Sequence, residues 1–197
     1  MEVLEKDPML YKVVRPLAKA IFKVLYRPTI IGAENIPKEG AVVLAGNHTS
    51  NLDWSLLLSS TKRCIHFLAK KELFKGIMKP IFTGAGLIPV NRKTKDGKAL
   101  ESAINVLNKG MVIGIFPEGT INKTDDVVMP FKIGAVKMAH DTNTKIVPFV
   151  IKGKFRLFRK GVRIVFFKPM KMNDDVLDNS NKRLMDFISD KLTDRKV

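Results

Sequence analysis

The sequence of 197 residues holds one cysteine, Cys64, so no intrachain disulfide can form, and no group of Cys and His residues has zinc-site spacing. A lone thiol fits a reducing compartment. No apolar run reaches the roughly eighteen residues that a membrane-spanning helix needs. The first residues include Glu2, Glu5, Lys6 and Asp7 and lack the basic-then-apolar order of a secretory signal, so export by that route is not expected. Acidic residues are scarce. Nineteen Asp and Glu face thirty-five Lys and Arg, a formal net charge of +16, which calls for an anionic partner. Nucleic acid is not the expected one, because no recognised nucleic-acid motif occurs and the aromatic residues occupy core-like positions. Also missing are the Gly-x-Ser-x-Gly elbow, His-Glu-x-x-His and a Gly-x-x-x-x-Gly-Lys-Ser/Thr phosphate loop. With no serine or cysteine placed as nucleophile, direct group transfer is favoured over a covalent intermediate.

What is present suits a folded protein. Hydrophobic residues make up 45% and aromatics 8%, which excludes disorder as the ground state. The length fits one domain with a short appendage. Residues 9–26 read as an amphipathic helix whose cations Lys12, Arg15, Lys19 and Lys23 share one stripe, while most of the circumference is apolar. A wide apolar arc with a narrow basic stripe suits a helix lying in a membrane interface; packing against the domain is the alternative. Pro16 either kinks this helix or marks its start. Arg27-Pro28 ends it, giving an expected division into an N-terminal helix, 1–28, and a main domain, 29–197.

From there strand-like and helix-like stretches alternate. Strands are expected at 29–32, 41–45, 65–69, 87–90, 111–116, 146–151 and 162–167, and helices at 52–60, 96–108, 131–140 and 176–192. Residues 71–82 are helical or irregular. This pattern predicts an α/β fold, a largely parallel central sheet flanked by helices. Sites in such sheets lie beyond the carboxyl ends of strands, and three of those ends carry unusual residues: 47–53, 90–92 and 116–120.

The first, Asn47-His48-Thr49-Ser50-Asn51-Leu52-Asp53, follows an apolar strand and opens a helix. On one regular helix, His48 and Asp53 would lie about 140° apart, so only the loop can bring them together. Ser50 or Asn51 can cap the helix, letting Asp53 reach back to one imidazole nitrogen and leaving the other to take a proton. The plainer reading of the same residues is a capped loop. Arg92, past the strand at 87–90, offers a planar fork for phosphate or carboxylate, or is a surface arginine. Phe116-Pro117-Glu118-Gly119-Thr120 is a rigid turn; Glu118 can anchor a loop or pair with a cation, and Thr120 can donate a hydroxyl. A shared use for these residues is transfer of an activated acyl group to a hydroxyl deprotonated by His48, with Arg92 holding a phosphate of the acceptor.

The order Asn47-His48-x4-Asp53, Gly86-Leu87-Ile88-Pro89-Val90-Asn91-Arg92, Phe116-Pro117-Glu118-Gly119-Thr120 and Ile146-Val147-Pro148-Phe149 resembles the glycerolipid acyltransferase family, over about residues 29–169. Phe131-Lys132-Ile133-Gly134-Ala135 also resembles a segment of that family. The resemblance implies His48 as general base oriented by Asp53, with Arg92, Glu118, Gly119 and Thr120 binding the acceptor and Pro148 structural or near the donor. It further implies acyl transfer from acyl-CoA or acyl carrier protein to 1-acylglycerol 3-phosphate (lysophosphatidate), giving phosphatidate, with no cofactor and no metal. The implied setting is peripheral, on the cytoplasmic face of the cell membrane, with an anionic lipid surface as partner. One position departs: the family usually has arginine where this chain has Ile121, which leaves glycerol 3-phosphate or another lysophospholipid open as acceptor. A non-enzymatic protein of anionic membranes is the remaining alternative.

Overall fold

A computed structural model describes residues 9–76, 82–83, 86–90 and 97–196. In chain order it contains α1 (Met9–Tyr26), β1 (Thr29–Ile31), β2 (Val42–Gly46), α2 (Asp53–Ser60), β3 (Ile65–Lys70), β4 (Ile88–Val90), α3 (Lys98–Asn108), β5 (Val112–Ile115), α4 (Gly134–Asp141), β6 (Ile146–Gly153), β7 (Val162–Phe166) and α5 (Leu177–Thr193). The strands form one sheet in the order β1-β7-β6-β2-β5-β3-β4. β6, β2, β5, β3 and β4 run parallel; β7 pairs antiparallel with β6, and β1 runs parallel to β7. The α/β class and largely parallel sheet expected from the alternation are therefore what the chain adopts.

Alternation along the central strands builds two cores. Val43 and Ala45 of β2 point to one face, with Ile113, Val150, Val106 and Leu107 of α3, Val136 and Met138 of α4, and Leu184 and Ile188 of α5. Val42 and Leu44 point to the other, with Val147, Phe149, Ile151, Leu56 and Leu57 of α2, and Phe22 of α1. Burial on both faces explains why these strands read as unbroken apolar runs.

Element ends differ from expectation by a few residues, for local reasons. The helix expected from 96 begins at Lys98, after Gly97 at φ 72. The helix expected from 131 begins at Gly134, because Phe131 and Lys132 belong to the segment packed on the Pro117 turn, where the Lys132 N–H donates to the Pro117 carbonyl. Helix α1 runs through Pro16 without a break in its assignment. Within the stretch at 71–82, Lys71–Leu73 forms a short 3₁₀ turn.

Candidate active site

Strand β2 ends at Gly46, where no larger residue fits. A Cβ there would lie 2.4 Å from both the ring and the carbonyl of Phe149. Asn47, 5% exposed, then uses its side-chain amide as a strand would use its backbone. Its Nδ2 donates to the Ile151 carbonyl at 3.0 Å, and its Oδ1 accepts the Ile151 N–H at 2.7 Å. This fixes the start of the loop that follows.

Asp53 opens α2 and its carboxylate is wholly buried. Oδ2 accepts from the Thr49 N–H at 2.6 Å, the Ser50 N–H at 2.8 Å and His48 Nδ1 at 2.9 Å, and Oδ1 accepts the Thr49 hydroxyl at 3.1 Å. A carboxylate oxygen only accepts, so the shared proton rides on Nδ1 and Nε2 carries the lone pair. No described residue bonds Nε2, and the His48 side chain keeps 17% of its surface exposed. The helix is not capped by Ser50 or Asn51 as expected. Its N-cap position is Leu52, with no side-chain cap, and Ser50 Oγ instead accepts the Leu52 N–H at 3.2 Å. Asp53 folds backward onto the amides of Thr49 and Ser50, which precede the helix.

The turn after β5 grips the same histidine. Glu118, 3% exposed, accepts the His48 N–H at Oε1 (2.8 Å) and the Met129 N–H at Oε2 (2.9 Å). The Asn122 N–H donates to the His48 carbonyl at 2.9 Å. Both main-chain groups of His48 are thereby held by one loop. Phe116 supplies a floor: its ring stacks on the imidazole with centroids 4.1 Å apart and planes at 13°, and meets Phe149 edge-on at 6.0 Å.

Of the other candidate residues, Gly119 sits at φ 74 and is overlain by Lys132, whose Nζ would lie 2.6 Å from a Cβ there. Thr120 and Lys132 are exposed. Both oxygens of Glu118 are engaged by backbone amides, which holds the loop in place. Pro148 is buried within β6 opposite Ala45. Asn91 and Arg92 lie outside the described residues. Among the described residues no three His, Cys, Asp or Glu side chains gather as a metal site.

Asn47 and Phe116 lie in the stretches 47–53 and 116–120 that the sequence marks, but with no role of their own, and Asn122 is not marked at all. Asn47 and Phe116 have a usable signal, their places beside the His-x4-Asp run and at the head of the Phe-Pro-Glu-Gly-Thr turn; Asn122 has none.

A buried acid bonded to an imidazole on a loop at the centre of a largely parallel sheet is a geometry able to take up a proton, and the comparisons with known proteins supply the family. The model of the Acyltransferase family matches residues 27–152, more than half of the chain, and the chain belongs to that family. The 1-acyl-sn-glycerol-3-phosphate acyltransferase of Borreliella burgdorferi is 35% identical over 136 residues, covering 68% of this chain and 54% of that protein. The enzyme of the same name from Bacillus subtilis is 29% identical over 185 residues, covering 89% of each chain. The chain thus spans about half the length of the first relative and most of the second. The solved structure of the 1-acyl-sn-glycerophosphate (LPA) acyltransferase PlsC from Thermotoga maritima shares the fold, with a TM-score of 0.75 at 23% identity, covering 92% of this chain and 78% of that one.

Proposed function

We propose that this chain transfers a fatty acyl group from acyl-CoA or acyl carrier protein to the free hydroxyl of 1-acylglycerol 3-phosphate, giving phosphatidate. The observation that carries this reading is the His48–Asp53 pair, with Nδ1 committed to a buried carboxylate at 2.9 Å and Nε2 left available. The names of the relatives supply the acceptor. In the proposed reaction Nε2 takes the hydroxyl proton as the acceptor oxygen attacks the thioester carbonyl. The new C–O bond forms, the C–S bond breaks, and the proton passes from the imidazolium to the departing thiolate. Asp53 fixes the tautomer and stabilises the imidazolium, as in other His–carboxylate pairs. Arg92 binds the acceptor's phosphate, and Glu118, Gly119 and Thr120 form the wall on which the acceptor rests. No cofactor enters this chemistry.

The proposed division is an N-terminal helix, 1–28, serving as a lipid anchor, and a catalytic domain, 29–197. No helix among the described residues is long and apolar enough to cross a membrane. We place the protein peripherally on the anionic cytoplasmic face of the cell membrane, where its acceptor resides.

The test is a labelled transfer assay offering lysophosphatidate and glycerol 3-phosphate against both donors. His48→Ala should lower kcat by roughly 10²- to 10⁴-fold with an unchanged melting profile, the usual contribution of a general base. Near-normal turnover in that variant would reject the mechanism. Preference for glycerol 3-phosphate would reject the acceptor while leaving the chemistry in place.

A further inference from the structure

We propose that the tip of the β6–β7 hairpin, residues 154–160, is a second membrane-inserting element that joins the last turns of α1 in docking the site edge of the sheet onto an anionic bilayer. This goes beyond the acyltransferase reading and rests on it only for its purpose, bringing His48 to a lipid acceptor.

The tip reads Lys154-Phe155-Arg156-Leu157-Phe158-Arg159-Lys160. Its two central apolar side chains are the outward ones: Leu157 is 58% exposed and Phe158 59%. Phe158 holds φ 57, a conformation that bulky L residues rarely adopt. Its N–H donates to the Leu25 carbonyl of α1, which ties the tip to the helix. Phe155 turns inward and meets Phe22 at 6.0 Å and Tyr26 at 5.6 Å between ring centroids. One aromatic therefore clamps the hairpin to α1 while its neighbours are presented to the outside.

Helix α1 continues the surface. Phe22 and Tyr26 face the domain, while Ile21 (51% exposed) and Val24 (61%) face away. The position of this surface follows from the topology. β6 is parallel to β2, so the hairpin leaves the sheet at the same edge as the His48 loop, and Ile151, two residues before Gly153, is bonded to Asn47. Trp54, in the first turn of α2 after the His48 loop, and Val127, on the loop after β5, are 44% and 47% exposed.

The charge selects the occupant. Lys154, Arg156, Arg159 and Lys160 are exposed around the two apolar side chains, as is Lys23 on α1. No Asp or Glu occurs between Asp7 and Glu34, or between Asp141 and Asp174. Apolar side chains projecting from a cationic collar match the two layers of an anionic lipid surface, hydrocarbon below and phosphate above. A stable protein partner needs a broad complementary face, which a two-residue tip does not offer.

The experiment is co-sedimentation of the full chain with vesicles of phosphatidylglycerol and phosphatidylcholine. Leu157→Ser combined with Phe158→Asn removes the apolar tip, asparagine being a residue that tolerates positive φ. The expected result is at least a tenfold fall in partition onto anionic vesicles with an unchanged melting temperature. Arg156→Gln with Arg159→Gln should remove mainly the salt-sensitive part of binding. Unchanged partition of the first variant overturns the proposal. So does loss of a self-association or of acyl carrier protein binding while vesicle partition stays the same, which would mark a protein-docking surface. Turnover is read separately on a short-chain, monomeric acceptor. It should be unchanged in both variants; its absence in the wild-type chain would defeat the enzymatic reading without touching vesicle binding.

Discussion

His48 is fixed from four directions, and each fixture has its own signature on activity. Asp53 holds Nδ1, Glu118 and Asn122 hold the main chain, and Phe116 lies flat against the ring at 4.1 Å. Aromatic stacking of this kind is worth about 0.5–1.5 kcal/mol. Phe116→Leu retains most of the volume but loses the stack, so kcat should fall several-fold, with a small loss in the denaturant midpoint. A kcat identical to wild type would mean the ring needs no floor. Lys132 is the second residue with a visible consequence. Its side chain crosses Gly119, is exposed, and has no carboxylate partner among the described residues. It therefore brings a cation to the turn where Ile121 supplies none. If the acceptor's phosphate rests there, Lys132→Met should raise KM for the phosphorylated acceptor roughly tenfold or more, the range of a charge-assisted hydrogen bond. A non-phosphorylated acceptor should show no such change, and a KM unaltered for both would remove Lys132 from the site.

At the scale of elements, the two edges of the sheet are tied by different devices and should fail differently. Away from the site, Arg63 joins three carbonyls: Nη1 to Pro37 at 3.0 Å, and Nη2 to Gly40 at 2.6 Å and Gly110 at 2.9 Å. These fasten the turn before β2 to the turn before β5. Arg63→Ala should lower stability by about 1–3 kcal/mol and leave kcat unchanged below the melting transition. Glu118→Gln should do both kinds of damage. An amide has one accepting oxygen for two buried N–H donors, so His48 or Met129 loses its partner, costing about 1–3 kcal/mol and releasing the imidazole. Equal effects of the two changes on kcat would contradict this division. The contrast also shows what was legible beforehand. Strand order along the chain, helix faces and the His-x4-Asp loop are local patterns, and the fold class followed from them. The grip of Glu118 on His48 spans seventy residues, and the stacking of Phe116 depends on β5 lying beside β2. Neither pairing leaves a periodic trace in sequence. Helix starts at Lys98 and Gly134 were misplaced by a few residues because a left-handed Gly97 and the packing of Phe131 and Lys132 decided them.

The whole molecule carries +16, and its two longest acid-free stretches, 8–33 and 142–173, are the segments that meet where α1 touches the β6–β7 hairpin. A net charge of this size acts through long-range attraction to an anionic surface, which salt screens over a Debye length of about 10 Å at 0.1 M and about 3 Å at 1 M. Each surface cation near such a membrane contributes roughly 1 kcal/mol when unscreened. The apolar side chains Ile21, Val24, Leu157 and Phe158 act at contact and are indifferent to salt. The two terms therefore separate in one titration. Partition of the full chain onto anionic vesicles should fall steeply as salt rises from 0.05 to about 0.5 M and then level off above zero, because screening removes the first term and not the second. On vesicles of phosphatidylcholine alone only the plateau should be seen. Binding that vanishes at high salt would mean the exposed apolar residues never reach hydrocarbon. Binding that ignores salt would mean the positive charge serves some other anion.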